Sequence, residues 1–202
     1  MDSSLSQAPA TVLRTSRLLL RPLQESDRAE FIRVQTSSTR HLSPWSPAME
    51  PGQTFDELFS SMLARTLRGL SLESDYRFAT FLHTGELVGM FNLNNVIRGV
   101  FQNAFAGWWL SVDSIGRGFG CEALPALLDH AFAEQPAGLG LHRVQANIIP
   151  ANERSIRLAQ RVGFRQEGLA RGYLKIAGVW QDHMMFAKLA EEHQSRMQTT
   201  FQ

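Results

Sequence analysis

The spacing of apolar positions changes several times along the chain, and each change marks an element. Residues 17–23 (RLLLRPL) form a short apolar run closed by Pro22, the pattern of a strand ending at a proline. Behind it Ala29, Phe31, Ile32 and Val34 recur at helical spacing, with Ser26 or Asp27 placed to cap the helix. The prolines and serines of residues 39–47 (TRHLSPWSP) predict a loop. A second helix is expected over residues 54–67, where Phe55, Leu58, Phe59, Met62 and Leu63 share a face.

The middle of the chain reads as strands over residues 76–82, 87–93 and 106–112, with a hairpin turn at Thr84-Gly85. A glycine-rich link, residues 116–120, leads into a helix carrying Leu124, Leu127, Leu128, Ala131 and Phe132. Pro125 is tolerable only near a helix start, which places that start at residues 120–122. Residues 141–149 alternate as a half-buried strand does, and Pro150 ends it. Asn152 is placed to cap a further helix with Ile156, Ala159 and Val162 inward and Gly163 as its stop. Two last strands, residues 164–169 and 181–189, are joined by a turn at Ala177-Gly178. The order of elements gives an α/β (α+β) chain: a mixed, mostly antiparallel sheet of about seven strands flanked by about four helices. The domain spans residues 11–189, between a flexible tail at 1–10 and a polar tail at 190–202.

Composition narrows the class. The chain's 202 residues suit one domain, and a net charge of +1 argues against direct nucleic-acid binding. One cysteine, Cys121, allows no internal disulfide, and no Cys/His cluster has metal-site spacing, so no metal is expected. Neither a secretory leader nor a run of about 18 apolar residues is present, so the expected location is the cytoplasm, away from the membrane. Oligomeric state is left open between monomer and homodimer.

Candidate chemistry concentrates in residues 108–123 (WWLSVDSIGRGFGCEA), where a strand passes through Gly116, Gly118 and Gly120 into a helix. Glycines let the backbone approach a ligand closely, and the bare amides of the first helical turn form an anion site suited to a pyrophosphate. Glycine at such a turn also has a purely conformational explanation. A dinucleotide fold fits poorly, because the preceding strands read as antiparallel hairpins.

This segment resembles the acetyl-CoA loop of the GNAT acetyltransferase superfamily, Q/R-x-x-G-x-G/A, with Gly118 and Gly120 at the small positions and Ile115 where Gln or Arg is usual. Residues 150–155 (PANERS) and 162–168 (VGFRQEG) resemble the N-x-x-S and GF-x-x-E-G patterns of the RimJ/RimL branch, which acetylates N-termini of ribosomal proteins. Residues 40–42 with Pro44-Trp45, residues 95–99, His142-Arg143 and residues 180–183 add matches to RimJ-type sequences, so the likeness runs from Arg17 to Leu189. It implies a GNAT fold and direct transfer of an acetyl group from acetyl-CoA to an amine. The acceptor would be an alanine-starting ribosomal protein or, alternatively, a polyamine or antibiotic. A ribosome-associated protein that only binds coenzyme A is a third reading.

The resemblance also implies site residues. The pyrophosphate would lie on amides of Arg117, Gly118, Phe119, Gly120, Cys121 and Glu122, and the pantetheine along Leu110, Ser111 and Val112, whose main chain would hold the thioester oxygen. Asn152 would contact the pantetheine in addition to capping its helix. Ser155 would protonate the departing sulfur, though a hydroxyl in a first helical turn is commonplace. Glu167, or water, would take the amine proton, against the plainer reading of a solvent-facing strand carboxylate. Trp45 and Arg98 would border the acceptor, against readings as a loop aromatic and a turn charge. Asp182 is read as bonding a nearby turn. Cys121 is read as packing rather than as a nucleophile, since direct transfer needs no acyl-enzyme.

Overall fold

The structure, a computed structural model, describes residues 11–199; the expected tail at 1–10 lies outside them. Eight strands form one sheet: β1 (Leu13–Arg14), β2 (Leu18–Arg21), β3 (Tyr76–Leu82), β4 (Leu87–Ile97), β5 (Asn103–Leu110), β6 (Arg143–Ile148), β7 (Arg165–Ile176) and β8 (Val179–Leu189). Their spatial order is β1-β2-β3-β4-β5-β6-β8-β7, and every neighbouring pair is antiparallel except β5 and β6. Five helices complete the fold: α1 (Arg28–Leu42), α2 (Phe55–Ser71), α3 (Phe119–Phe132), α4 (Glu153–Val162) and α5 (Ala190–Thr199). The expected mixed sheet is therefore present with one more strand and one more helix. Two residues, the length of β1, are too few to carry a periodic signal.

The helices divide between the two faces. Alternation along the strands sends Phe78, Phe91, Leu93, Ala104, Ala106, Val144 and Ala146 to one face, where they pack with Phe119, Leu124, Leu127 and Leu128 of α3 and Ala159 and Val162 of α4. Ala79, Phe81, Leu87 and Met90 occupy the opposite face with Phe31 and Val34 of α1 and Phe59 of α2. The Phe31 ring meets Phe59 edge-on at 5.4 Å and Trp109 at 6.4 Å, which ties both helices to β5.

Several local expectations are corrected. Asp27 does not cap α1; its carboxylate is held bidentately by Arg21 at 2.7 Å and accepts from the Gln24 main chain at 2.8 Å. Helix α1 continues through residues 39–42, and a single 3-10 turn, Ser43–Trp45, takes the place of the long loop, since Pro44 is compatible with the start of such a turn. The segment from residue 190, read as a polar tail, continues as α5. There His193 Nε2 lies 2.6 Å from Asp129 Oδ1 of α3, a pairing of two polar groups that apolar periodicity does not signal. Pro125 sits in the second turn of α3, further in than expected, and leaves the Cys121 carbonyl without the amide four residues on. Asp182, read as bonding a nearby turn, instead accepts from the Gly172 N–H at 2.7 Å inside β7, where the β7–β8 register shifts.

Glu122, near the start of α3, fastens the chain's N-terminal hairpin to the helix. Its carboxylate accepts from Thr15 Oγ1 at 2.5 Å, Ser16 Oγ at 3.0 Å, the Arg17 N–H at 2.8 Å and Arg17 Nε at 2.6 Å. Burial alone would raise its pKa; the four donors outweigh that and hold it down at about 2. A carboxylate depressed from 4.5 stabilises the folded chain fully above pH 4.5 and loses that contribution as pH falls towards 2. Glu122→Gln is expected to lower unfolding free energy at pH 7 by about 2 kcal/mol, the scale of hydrogen bonds to a charged group. Urea unfolding across this acid range should then show a flatter pH dependence than the parent.

Candidate active site

The site originates in a split of the sheet. Strands β5 and β6 pair only from Asn103 to Phe105 against Arg143 to Gln145, and beyond that register they diverge. The divergence opens a cleft of about 1460 Å³ lined by residues 106–110 on one side and 147–149 on the other. The Ser111 N–H donates to the Val88 carbonyl at 2.8 Å, which makes that pair a hydrogen-bonded one in the antiparallel β4–β5 ladder. Strict alternation then turns the main-chain groups of Leu110 and Trp108 away from β4, towards the strand that is no longer there. Leu110 thus offers an N–H to the cleft.

At the head of the cleft lies the N-terminus of α3. Gly118 is its N-cap, in the left-handed region at φ +80°, and no side chain caps the helix. Gly116 is also left-handed, at φ +76°, and a Cβ there would meet nothing within 4 Å, so the bend is open rather than plugged. Gly120 serves a different end: a Cβ on it would lie 2.8 Å from Leu158 Cδ2, so its hydrogen lets α3 and α4 approach closely. Gly116, Gly118, Phe119, Gly120 and Cys121 all face the cleft. Bare amides, a helix dipole and empty space beside them fit a pyrophosphate.

Helix α4 forms the adjoining wall. Asn152 Oδ1 accepts from the Ser155 N–H at 3.3 Å, so the expected cap is present. Both side chains line the cleft, and among the described residues the Ser155 hydroxyl has no hydrogen-bond partner. Trp45 and Pro47 line the opposite rim, where the Ser46 carbonyl accepts from the Ala177 N–H at 3.0 Å and so joins this turn to the β7–β8 hairpin.

Other expected site residues lie elsewhere. Glu167 does not border the cleft: it stands beside the first residue of β6, at the far end from Asn147, with its carboxylate held bidentately by Arg143 (Nη1 to Oε1 2.9 Å). That guanidinium holds its pKa below the usual carboxylate range, the reverse of what a base for an amine needs. Arg98 is committed to the Leu139 carbonyl and does not reach the acceptor side. Ser111 and Val112 belong to the turn after β5. The Ser111 hydroxyl bonds Ser114 Oγ at 2.7 Å and the Val112 N–H bonds Ser38 Oγ at 3.1 Å, so Leu110 alone of the three faces the cleft. Arg117 and Glu122 point away from it, the former stacking over the Phe119 ring at 4.9 Å.

Two histidines on the wall escaped the sequence reading. His183 lines the cleft, and its Nδ1 lies 3.0 Å from the Gln181 carbonyl, a contact that an N–H donor satisfies. Burial, and after it the charge of Arg154, lowers the pKa of His41 below 6.5, so it is neutral at pH 7. Their sequence signal was weak because a lone histidine has many structural uses; His130, buried between Tyr76 and Phe78, is one. Among the described residues no group of three or more His, Cys, Asp or Glu could hold a metal ion, and no helix is long and apolar enough to cross a membrane.

A split sheet with a bare helix mouth at its head is a site for an acyl carrier that bears phosphates, and the chain belongs to the GNAT acetyltransferases: the Acetyltransferase (GNAT) domain model matches residues 17–165. It is an acetyl-CoA-dependent N-acetyltransferase. It is 31% identical over 179 residues to the probable N-acetyltransferase YjcK of Bacillus subtilis (strain 168), covering 88% of this chain and 97% of that one. It is 30% identical over 183 residues to the [ribosomal protein uS5]-alanine N-acetyltransferase of Escherichia coli (strain K12), covering 90% and 92%. Among solved structures, RimJ of Mycobacterium smegmatis in complex with CoA-disulfide superposes with a TM-score of 0.81 at 29% identity, over 95% of this chain and 93% of that one.

Proposed function

We propose that this chain acetylates the N-terminal amine of a cytoplasmic protein, with a ribosomal protein beginning in alanine as the acceptor. The observation that carries this reading is the charge of the cleft wall: among the described residues its only carboxylates are Asp75 and Glu153, and each is paired with an arginine. A polyamine site would need free acidic groups for several ammonium charges. A peptide N-terminus brings one amine on an extended chain, which suits a groove open along a sheet face. The likeness to the uS5-alanine enzyme supports the same acceptor.

In this proposal the amides of Phe119, Gly120 and Cys121 hold the pyrophosphate, and Asn152 and the free edge of β5 hold the pantetheine. The Leu110 N–H binds the thioester oxygen as the amine attacks, stabilising the charge that develops on it. The carbon–nitrogen bond forms, the carbon–sulfur bond breaks, and the thiolate takes the proton of the Ser155 hydroxyl, which solvent restores. His41 or His183 receives the proton lost by the amine. Rate enhancement comes mainly from holding a reactive thioester against a neutral amine.

The test is thiol release from acetyl-CoA with an alanine-starting peptide and with spermidine, across pH. The peptide should be acetylated on its α-amine, located by mass spectrometry, with turnover rising up to about pH 8 as that amine loses its proton. Acetylation of spermidine but of no peptide would overturn the reading.

A further inference from the structure

The acceptor half of the cleft holds a positive cluster that the transfer chemistry does not use. Arg77 of β3 and Asn92 of β4 are register partners, as are Asn92 and Gly107 of β5, so the three lie in one row across the sheet. Two residues along, Ala79 and Met90 belong to the core under α1 and α2, which places this row on the same face. Helices α3 and α4, with the phosphate site, lie on the other. Arg65 and Arg68 of α2 border the same half, exposed, and among the described residues neither makes an ion pair.

Arg77 is only 9% exposed, and its Nε has no hydrogen-bond partner. Its Nη2 reaches Asp75 Oδ1 at 3.2 Å, and that carboxylate is already shared with the Asn95 N–H at 3.3 Å and Ser74 Oγ at 2.9 Å. Burial and the neighbouring charge of Arg65 both lower the pKa of Arg77, so its charged form is under-compensated. The Oδ1 atoms of Asn92, Asn94 and Asn147 are also buried and unpartnered; as acceptors they suit the N–H groups of an incoming peptide, not its carboxylate. A buried guanidinium N–H without an acceptor, beside two exposed arginines without carboxylates, is an arrangement that an incoming anion completes.

Resting on the reading of the acceptor as a peptide N-terminus, we propose that Arg65, Arg68 and Arg77 form a specificity site for acidic side chains that follow the acetylated residue. The separation sets the position. From Leu110, whose N–H holds the thioester and so sets where the amine sits, to Arg77 is two strand spacings across the sheet and three residues along it, about 14 Å in all. An extended chain covers that in about four residues at about 3.4 Å each, and the acidic and arginine side chains bridge the last part of it. The acid therefore belongs at the third or fourth residue. The same charges repel a lysine there.

The experiment is a series of alanine-starting peptides identical except for Glu, Ser or Lys at positions three and four, assayed by thiol release at low salt. The expected order of kcat/KM is Glu, then Ser, then Lys, with about tenfold between the first two, an effect of the size one good charged contact gives. The difference should reside mainly in KM, shrink with added salt, and vanish in the exposed double variant Arg65→Ala/Arg68→Ala. Calorimetric titration with coenzyme A verifies that this variant is folded. Equal rates across the series, a preference for Lys, or a Glu preference that survives the double variant would overturn the site while leaving N-terminal acetylation intact. Release with spermidine and with no peptide would overturn both.

Discussion

Replacing Gly118 by aspartate is expected to weaken coenzyme A binding about a hundredfold, roughly 2.7 kcal/mol, while leaving the fold standing. Gly118 is left-handed, and aspartate is among the few other residues that tolerate that region. A Cβ there would meet only Arg17 Nη2, at an ordinary 3.6 Å. The added carboxylate stands at the mouth of α3, where it competes for the free amides and repels the phosphates. Calorimetric titration gives the affinity and thermal unfolding confirms the structure. Unchanged binding in a folded Gly118→Asp protein would mean that the pyrophosphate lies elsewhere.

Removing the Ser155 hydroxyl is the second large effect. Ser155→Ala should lower kcat about a hundredfold, within the range for losing a positioned acid, with the KM for acetyl-CoA nearly constant because the phosphate anchors are untouched. The Asn152 cap bonds the main chain of Ser155, not its side chain, so α4 keeps its start. Glu167→Gln is the control: a carboxylate bound to Arg143 at the distant end of β6 should leave turnover as it was. A loss in Glu167→Gln equal to that in Ser155→Ala would restore the carboxylate as base and remove the case for the cleft imidazoles.

How far the chain could be read ahead of its structure depended on the range of the signal. The strands, the four amphipathic helices, the Asn152 cap and the glycine bend are written in residues close together in sequence and are all present, but their bounds moved: α1 runs on to Leu42, β5 spans Asn103–Leu110 in place of 106–112, and β7 continues to Ile176 in place of ending at 169. Glu167 and Arg98 were expected at the site and lie outside the cleft, since a motif gives a residue's place along the chain but not which end of the sheet that place occupies. Ser111 and Val112 lie outside the cleft by the length of one turn: β5 stops at Leu110, the Ser111 amide goes to β4, and Ser38, far away in sequence, takes the Val112 amide. The cluster of Arg65, Arg68 and Arg77 was invisible for another reason. A net charge of +1 says nothing about segregation, and only folding gathers, among the described residues, six arginines and two carboxylates around one cleft, three of those arginines on its acceptor half. Glu122 shows the same limit, since its four partners lie about a hundred residues upstream.

The brief parallel pairing of Asn103–Phe105 with Arg143–Gln145 makes β5 and β6 two panels hinged along a short seam. Polar backbone left bare beyond that seam is an unfinished ladder, and an extended amide-bearing arm entering it would act as a missing rung. On the proposed reading the carrier would do more than deliver cargo: its amides would supply the hydrogen bonds that the diverging edges of β5 and β6 no longer give each other.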